Sequence, residues 1–250
     1  MRTGVASIAL AAALSFGVVP SVSAQSAAWT ERARVSINFG VQPSSTTFDT
    51  SITKPSYIEN ALFETTYTVS SGPMFDGGVA VRLAKSFGVG VAVSSFSRKN
   101  DAGVSGTIPH PFFYNTPRAI SGTVPGVERR EVAAHLQAVY VISGRKADLA
   151  IAGGPSWFNV NQDLVTDVAY TETYPYDSAA FASATTSRAA KSGLGFNVSG
   201  DVGVRLGQHV GVGGVVRFSR ASIALAAANG VSVTADAGGI QLGGGLRLFF

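Results

Sequence analysis

The chain has 250 residues, no cysteine, 29 glycines and only 14% charged side chains against 46% hydrophobic ones; its formal net charge is +4 and its mean hydropathy +0.25. These values exclude a disordered chain, which is polar and highly charged, a disulfide scaffold or thiolate metal site, and a lipoprotein anchor, which needs a cysteine. The positive charges are scattered, so nucleic acid has no electrostatic footprint here.

In chain order, residues 1–24 read as a secretory signal. Arg2 supplies the positive start, Val5 to Val19 form an apolar run, and Val22-Ser23-Ala24 is a small-x-small cleavage site before Gln25. The run is shorter than the ~20 residues a spanning helix needs. The mature chain is therefore expected to begin at Gln25, after export through the inner membrane. No later stretch is apolar for long enough to form a spanning helix.

Period-two alternation follows. Val35, Ile37, Phe39 and Val41 alternate with Ser36, Asn38, Gly40 and Gln42. Phe75, Val79, Val81 and Leu83 alternate with Asp76, Gly78, Ala80 and Arg82. The pattern recurs around His135 and Gln137, around Asn197 and Asp201, around Arg217, and from Ile240 to Phe250. A strand sends successive side chains to opposite faces, so each segment has one greasy and one polar or small face. A soluble sandwich or lipocalin alternates too, but needs a charged outside. With so few charges the greasy face is expected to meet lipid and the mixed face to fill the interior. Only a closed barrel then satisfies every backbone group.

The turns set the count. Short connections at 84–86, 143–146 and 207–208 are expected on the periplasmic side. Long polar connections at 99–128 and 164–188 are expected outside, with shorter ones at 53–59 and at Asn229-Gly230. This predicts an all-β, closed antiparallel transmembrane barrel of eight strands: 33–52, 60–84, 87–98, 128–142, 147–162, 187–206, 209–226 and 231–250. Gly72-Pro73 interrupts the second, since proline gives no ladder bond. One bulged strand keeps the count even and two strands would not. Eight strands leave an interior just filled by side chains. Asp76, Arg82, Asp148, Asp201, Arg205, Arg217 and Arg247 are expected there, either as a salt-bridged plug or as the lining of a narrow polar conduit.

The signal peptide, the glycine-rich strand Phe87 to Val93 and the terminal Gly245-Leu246-Arg247-Leu248-Phe249-Phe250 carry a resemblance. The chain resembles the small outer-membrane β-barrel proteins of Gram-negative bacteria, the group of OmpA, OmpX and OmpW-type barrels. The resemblance implies residence in the cell outer membrane among outer-membrane lipid and lipopolysaccharide. It also implies that Phe250 is the signal read by the barrel-assembly machinery. The chain ends with its last strand, so no cell-wall-binding domain is expected. Fold resemblance does not settle activity.

Searching for chemistry returns no catalytic, cofactor-binding or metal-binding residue. His110, His135 and His209 lie far apart. There is no nucleophile elbow. The S-x-x-K pairs at Ser51/Lys54 and Ser143/Lys146 lack partner motifs, and Asn197-Val198-Ser199 falls within an expected strand. The expected function is a structural or surface-interaction role without catalysis. A narrow channel for small solutes is the alternative, followed by a lipid-modifying enzyme. A possible extracellular ligand would meet the loops 99–128 and 164–188. The aromatics Phe112, Phe113 and Tyr114, and Tyr170, Tyr174, Tyr176 and Phe181, are candidates for recognition, for packing over the barrel mouth, or for an aromatic girdle.

Overall fold

The computed structural model describes residues 29–227 and 230–250. The signal segment 1–24 and Asn229 of the expected hairpin lie outside the described residues. Ten strands follow one another: β1 (Ala33–Gln42), β2 (Thr46–Ser56), β3 (Glu59–Val69), β4 (Gly72–Ala84), β5 (Phe87–Ile108), β6 (Arg118–Ser143), β7 (Ala147–Glu172), β8 (Ala179–Arg205), β9 (Val210–Ala226) and β10 (Ser232–Phe249). All pairings are antiparallel. β1 lies between β4 and β10, and β5 pairs with β6, so the sheet closes on itself.

Two staves are each made of two strands. β2 continues β1 past Pro43, and β4 continues β3 past Ser70-Ser71. β3 and β4 both pair with β5, Leu62–Tyr67 against Ala102–Thr107 and Met74–Ala84 against Phe87–Phe96. The ring therefore has eight staves. The expected irregularity within 60–84 falls at Ser70-Ser71, just before Gly72-Pro73. It shifts parity by one: Ala61, Phe63 and Tyr67 face in from odd positions, Met74 and Asp76 from even ones.

The lower part of the barrel, next to the short turns, is inverted relative to a soluble protein. Asn38, Asp76, His135, Gln137, Asn197, Arg217 and Arg247 are buried inside, while Ile37, Val79, Val91, Leu136, Ile151, Val202, Val212 and Leu246 stand exposed outside. An exposed apolar girdle of this extent is stable only against hydrocarbon. Aromatics edge it: Phe87 and Tyr140, 4.9 Å apart, towards the short turns, and Trp157, Phe196 and Phe218 towards the opposite end.

The expected loops at 99–128 and 164–188 are a correction. β5 runs on to Ile108, β6 starts at Arg118, β7 continues to Glu172 and β8 starts at Ala179. Only 109–117 and 173–178 are turns there. The long connections are the strands themselves, climbing past the lipid band. Above that band the polarity of the two faces exchanges. On β5, Val89, Val91 and Val93 face out below, followed outward by Ser95, Ser97, Lys99, Asp101, Ser105 and Thr107. Its inward face runs from Gly88, Gly90, Ala92 and Ser94 to Phe96, Ala102, Val104 and Ile108. The inward apolar residues of the upper staves make one buried cluster with Phe63, Phe158, Leu164, Val168 and Ile223 at its centre.

Candidate functional site

Two regions gather the chemistry-bearing residues: the interior of the lower barrel, and the outermost turns of the upper lobe.

The lower interior is an ionic lattice. Arg217 pairs with Asp76, which also accepts a 2.9 Å bond from Asn38 Nδ2. Arg247 reaches Asp201 at 2.5 and 3.0 Å and donates to Asn38 Oδ1 at 2.7 Å. Arg34 lies 3.4 Å from Asp201. Arg205 joins Asp148 at 3.0 Å and Glu31 at 2.6 Å. These four arginines and four carboxylates balance, as buried charge must. Of the ions expected inside, Arg82 departs from the lattice and donates to the Trp29 carbonyl. The sequence reading missed Arg34 and Glu31. Arg34 was within reach, since it shares parity with Ser36 and Asn38. Glu31 precedes the first strand and carries no periodic signal.

The floor is closed as well. Trp29 is fully buried against Val139, Val141 and Ala150. Gly88 makes room for it, because a Cβ there would lie 2.6 Å from the indole ring. The guanidiniums of Arg205 and Arg34 lie over the Phe249 ring, 4.3 and 5.3 Å from its centre. A cavity of about 60 Å3 remains beside Arg34, Ser36, Asp76, Gln137, Ser199 and Arg217. That holds a few waters rather than a solute.

His135 faces inward as expected. Its Nε2 meets Ser94 Oγ at 3.0 Å and its Nδ1 meets Ser156 Oγ at 2.7 Å, with Asn197 Nδ2 donating to the same Ser156 at 2.9 Å. All four residues are buried. The arrangement is a polar tie between four staves, without access for a substrate. Asn197, of the Asn197-Val198-Ser199 triplet, points inward. His209 donates from Nδ1 to the Phe249 carbonyl at the lower turn, 3.0 Å away. Ser51 and Lys54 lie in β2 rather than in a turn, and Lys54 pairs with Asp167 at 2.9 Å. Among the described residues no cluster of metal-ligating side chains occurs.

At the top, three turns converge: Tyr57-Ile58, 109–117 and 173–178. Buried Arg118 ties them together. It bonds Glu172, the Pro109 carbonyl at 2.5 Å and the Tyr176 carbonyl at 3.0 Å. Tyr57 donates its hydroxyl to Glu172 at 2.5 Å, and Asn115 N–H donates to the Glu59 carboxylate at 3.3 Å. His110 is buried and shapes its own turn. Its Nδ1 accepts the N–H groups of Phe112 and Phe113 at 3.1 and 3.2 Å. The Tyr57 phenol is pushed up to about 12 by its hydrogen bond to the Glu172 carboxylate. Arg118 follows Pro117 in what reads as a loop, and no sequence signal marked it as a hub.

The aromatics divide. Tyr170 and Phe181 pack against the lobe's apolar core, and Tyr176 is half-buried with its ring 5.5 Å from that of Phe112. A Cβ on Gly122 would fall 2.2 Å from the Phe181 ring, which is why the facing strand carries glycine there. Phe112, Phe113, Tyr114 and Tyr174 are exposed. None belongs to the girdle at the lipid boundary. Ile108 lies twelve residues beyond Phe96 on β5, which is about 40 Å along a strand.

No family model matches the chain, and no curated protein sequence matches it. Among solved structures it is similar to Neisserial surface protein A (NspA), at 10% identity and a TM-score of 0.46, over 87% of this chain and 97% of that one. It is also similar to Ail, the attachment invasion locus protein of Yersinia pestis, in complex with the heparin analogue sucrose octasulfate. There the identity is 10% and the TM-score 0.36, over 86% of this chain and 99% of that one.

Proposed function

We propose that this chain is an outer-membrane protein of a Gram-negative cell whose working part is the upper lobe, a rigid β platform that carries a recognition surface away from the membrane. One observation carries this reading. The staves do not stop at the lipid boundary but continue as paired strands around a filled apolar core, ending in turns cross-tied by Arg118 and Glu172. A pore has no use for such a lobe, and a dense ionic lattice beneath it opposes solute passage. A surface-interaction protein needs a stiff arm of this kind, because preorganised contacts lose less entropy on binding.

The same reading assigns the outer face of the lower barrel to outer-membrane lipid, with lipopolysaccharide above it. It assigns the N-terminal segment 1–24 to export. It also makes Phe250 the residue read by the barrel-assembly machinery. Phe250 is exposed, one residue beyond β10, and its backbone bonds Arg32 and Ala33 where the ring closes.

Two measurements test the reading. Planar-bilayer recordings of the purified protein should show no discrete conductance steps, and stable single-channel openings would overturn the platform in favour of a channel. Cells displaying the protein should adhere to a target surface in a manner abolished by replacing 57–58 and 109–117 with glycine-serine turns. Adhesion that ignores those replacements on every surface tried would sink it.

A further inference from the structure

The outermost turns carry a group of side chains that the fold does not use. Ile58 is 86% exposed, Tyr174 80%, Tyr114 74%, Phe112 69% and Phe113 61%. They come from three separate turns and share one end of the lobe. Two of the carboxylates nearby are already engaged. Glu172 is spent on Arg118 and Tyr57, and Glu59 on the Asn115 backbone. Of the charges carried by these turns, Asp177 alone is left exposed on the tip. The crown is therefore almost uncharged and largely aromatic, and it is held in shape by hydrogen bonds rather than left to sample conformations.

We infer that this crown inserts into the headgroup–acyl boundary of an apposed lipid bilayer, one belonging to another cell or vesicle. The inference rests on the platform reading above and names its partner. Three features select a bilayer. First, the composition is that of interfacial anchors: aromatic rings and a branched aliphatic residue settle at the membrane–water boundary. Second, the charge fits. A tip with a single free charge, Asp177, suits a zwitterionic surface and gains nothing from a strongly anionic one. Third, the shape fits. Side chains exposed this far project outward and line no cleft, so they cannot enclose a ligand. A fluid bilayer deforms around projections. The protein's own membrane is out of reach, since the crown stands roughly 30 Å above the lipid band once the usual strand tilt is allowed for.

The test uses the full chain in lipid nanodiscs, mixed with phosphatidylcholine vesicles and floated on a density gradient. Wild-type particles should float with the vesicles. Combined Ile58→Ser, Phe112→Ser and Phe113→Ser should weaken capture roughly tenfold or more, as loss of interfacial apolar area dictates. Phe112→Leu with Phe113→Leu should retain it. Heat-modifiable migration of each variant on a gel reports whether the barrel has folded, and Ile58→Ser alone serves if the triple variant fails. Vesicles containing phosphatidylserine should be captured about as well as neutral ones. Four results overturn the inference: no capture of phosphatidylcholine vesicles, capture undiminished in the folded serine variant, capture only of anionic vesicles, or nanodiscs that associate with one another through the crown without vesicles. Crown-dependent adhesion to a protein-coated surface without vesicle capture would remove the lipid partner and leave the platform standing. Loss of both would remove the platform too.

Discussion

The lower barrel and the upper lobe share continuous strands, β5 to β8 running through both, yet they distribute polarity in opposite senses. Below, the inside is ionic and the outside apolar; above, Phe63, Phe96, Val104, Phe158 and Leu164 fill the inside and serine, threonine and charged residues face out. β5 crosses the boundary without changing which residues point inward. Even-numbered positions from Gly88 to Phe96 and again from Ala102 to Ile108 face in, with Arg98 exposed between them, and what changes between Ser94 and Phe96 is the side-chain chemistry. The backbone thus does not know where the membrane ends. The solvent outside decides which face must be apolar, and the lattice or the core inside follows. The two interiors also differ in what they contribute. A buried Phe or Leu stabilises by about 1.5–3 kcal/mol relative to an exposed one. A buried ion pair roughly balances its desolvation against its attraction. The lobe's interior is therefore a source of stability, while the lattice chiefly fills a space that the outward apolar residues cannot.

The sharpest way to break this contrast is to place a charge on the wrong face of one strand at two heights. In the lobe, Val104→Asp buries a carboxylate without a partner in an apolar core. It should cost roughly 3–5 kcal/mol, the range for an uncompensated buried charge. Ser105→Asp, one residue on and facing water, should stay within about 0.5 kcal/mol. Urea unfolding of the reconstituted protein reads both. Equal tolerance would mean that the upper half of β5 lacks the inward and outward faces described.

At the lower level the signs reverse. Val91 faces lipid, so Val91→Arg should cost roughly 2–4 kcal/mol if it sits near midplane. Ser105→Arg, outward but above the band, should again be nearly neutral. The readout is the fraction of heat-modifiable barrel formed in vesicles. If both arginines were accepted equally, the outer face at Val91 would be in water and the lipid band misplaced.

That reversal also explains what was legible beforehand. The lower ends of the staves, their parity and the count of eight follow from alternation with greasy outward residues, and all are found where period two puts them. The upper ends escaped for a physical reason. From Asp101 to Thr107 the outward residues Gly103 and Ser105 look like a loop. The inward Ala102, Val104 and Ile108 alternate with the sign reversed. The facing strand further hides the pattern, because the register slips between Asn100 and Ala102 opposite Pro125-Gly126, and its inward face moves from Val124 to Val127. A reading that follows one sign of alternation stops where the surrounding solvent changes. Of the crown, the aromatics of 109–117 were visible in sequence. Their convergence with Ile58 and Tyr174 was not, because it depends on Arg118 bridging turns more than fifty residues apart.

The lattice can be probed by a pair rather than by single losses. Asp76→Asn strands Arg217, and Arg217→Gln strands Asp76. Each single change should destabilise more than the double change does, relative to simple addition. The coupling should fall at about 0.5–3 kcal/mol, as for contacting residues in one network. Additive effects would mean that the two side chains do not hold one another, and the lower interior would then be polar filler without a lattice.

The smallest effect belongs to the crown, where the contrast is between a tied and a free phenol. Tyr57 donates its hydroxyl to Glu172, and only the protonated phenol can do so; this bond, more than burial, raises its pKa to about 12 from an ordinary 10. A raised folded-state value means the bond's stabilisation is complete below the unfolded pKa and is lost as pH climbs through the folded one. The tie between the 57–58 turn and the 173–178 turn should thus be intact at neutral pH, weaken above pH 10 and disappear beyond about 12. Tyrosinate absorbance across that window should contain a late component that Tyr57→Phe reduces by one phenol, since burial also raises the pKa of Tyr67 and leaves a remainder. If the amplitude of the late component is unchanged in Tyr57→Phe, the bond to Glu172 is not what joins those two turns, and the fixed shape of the crown must rest on Arg118 and on the bond from Asn115 to Glu59.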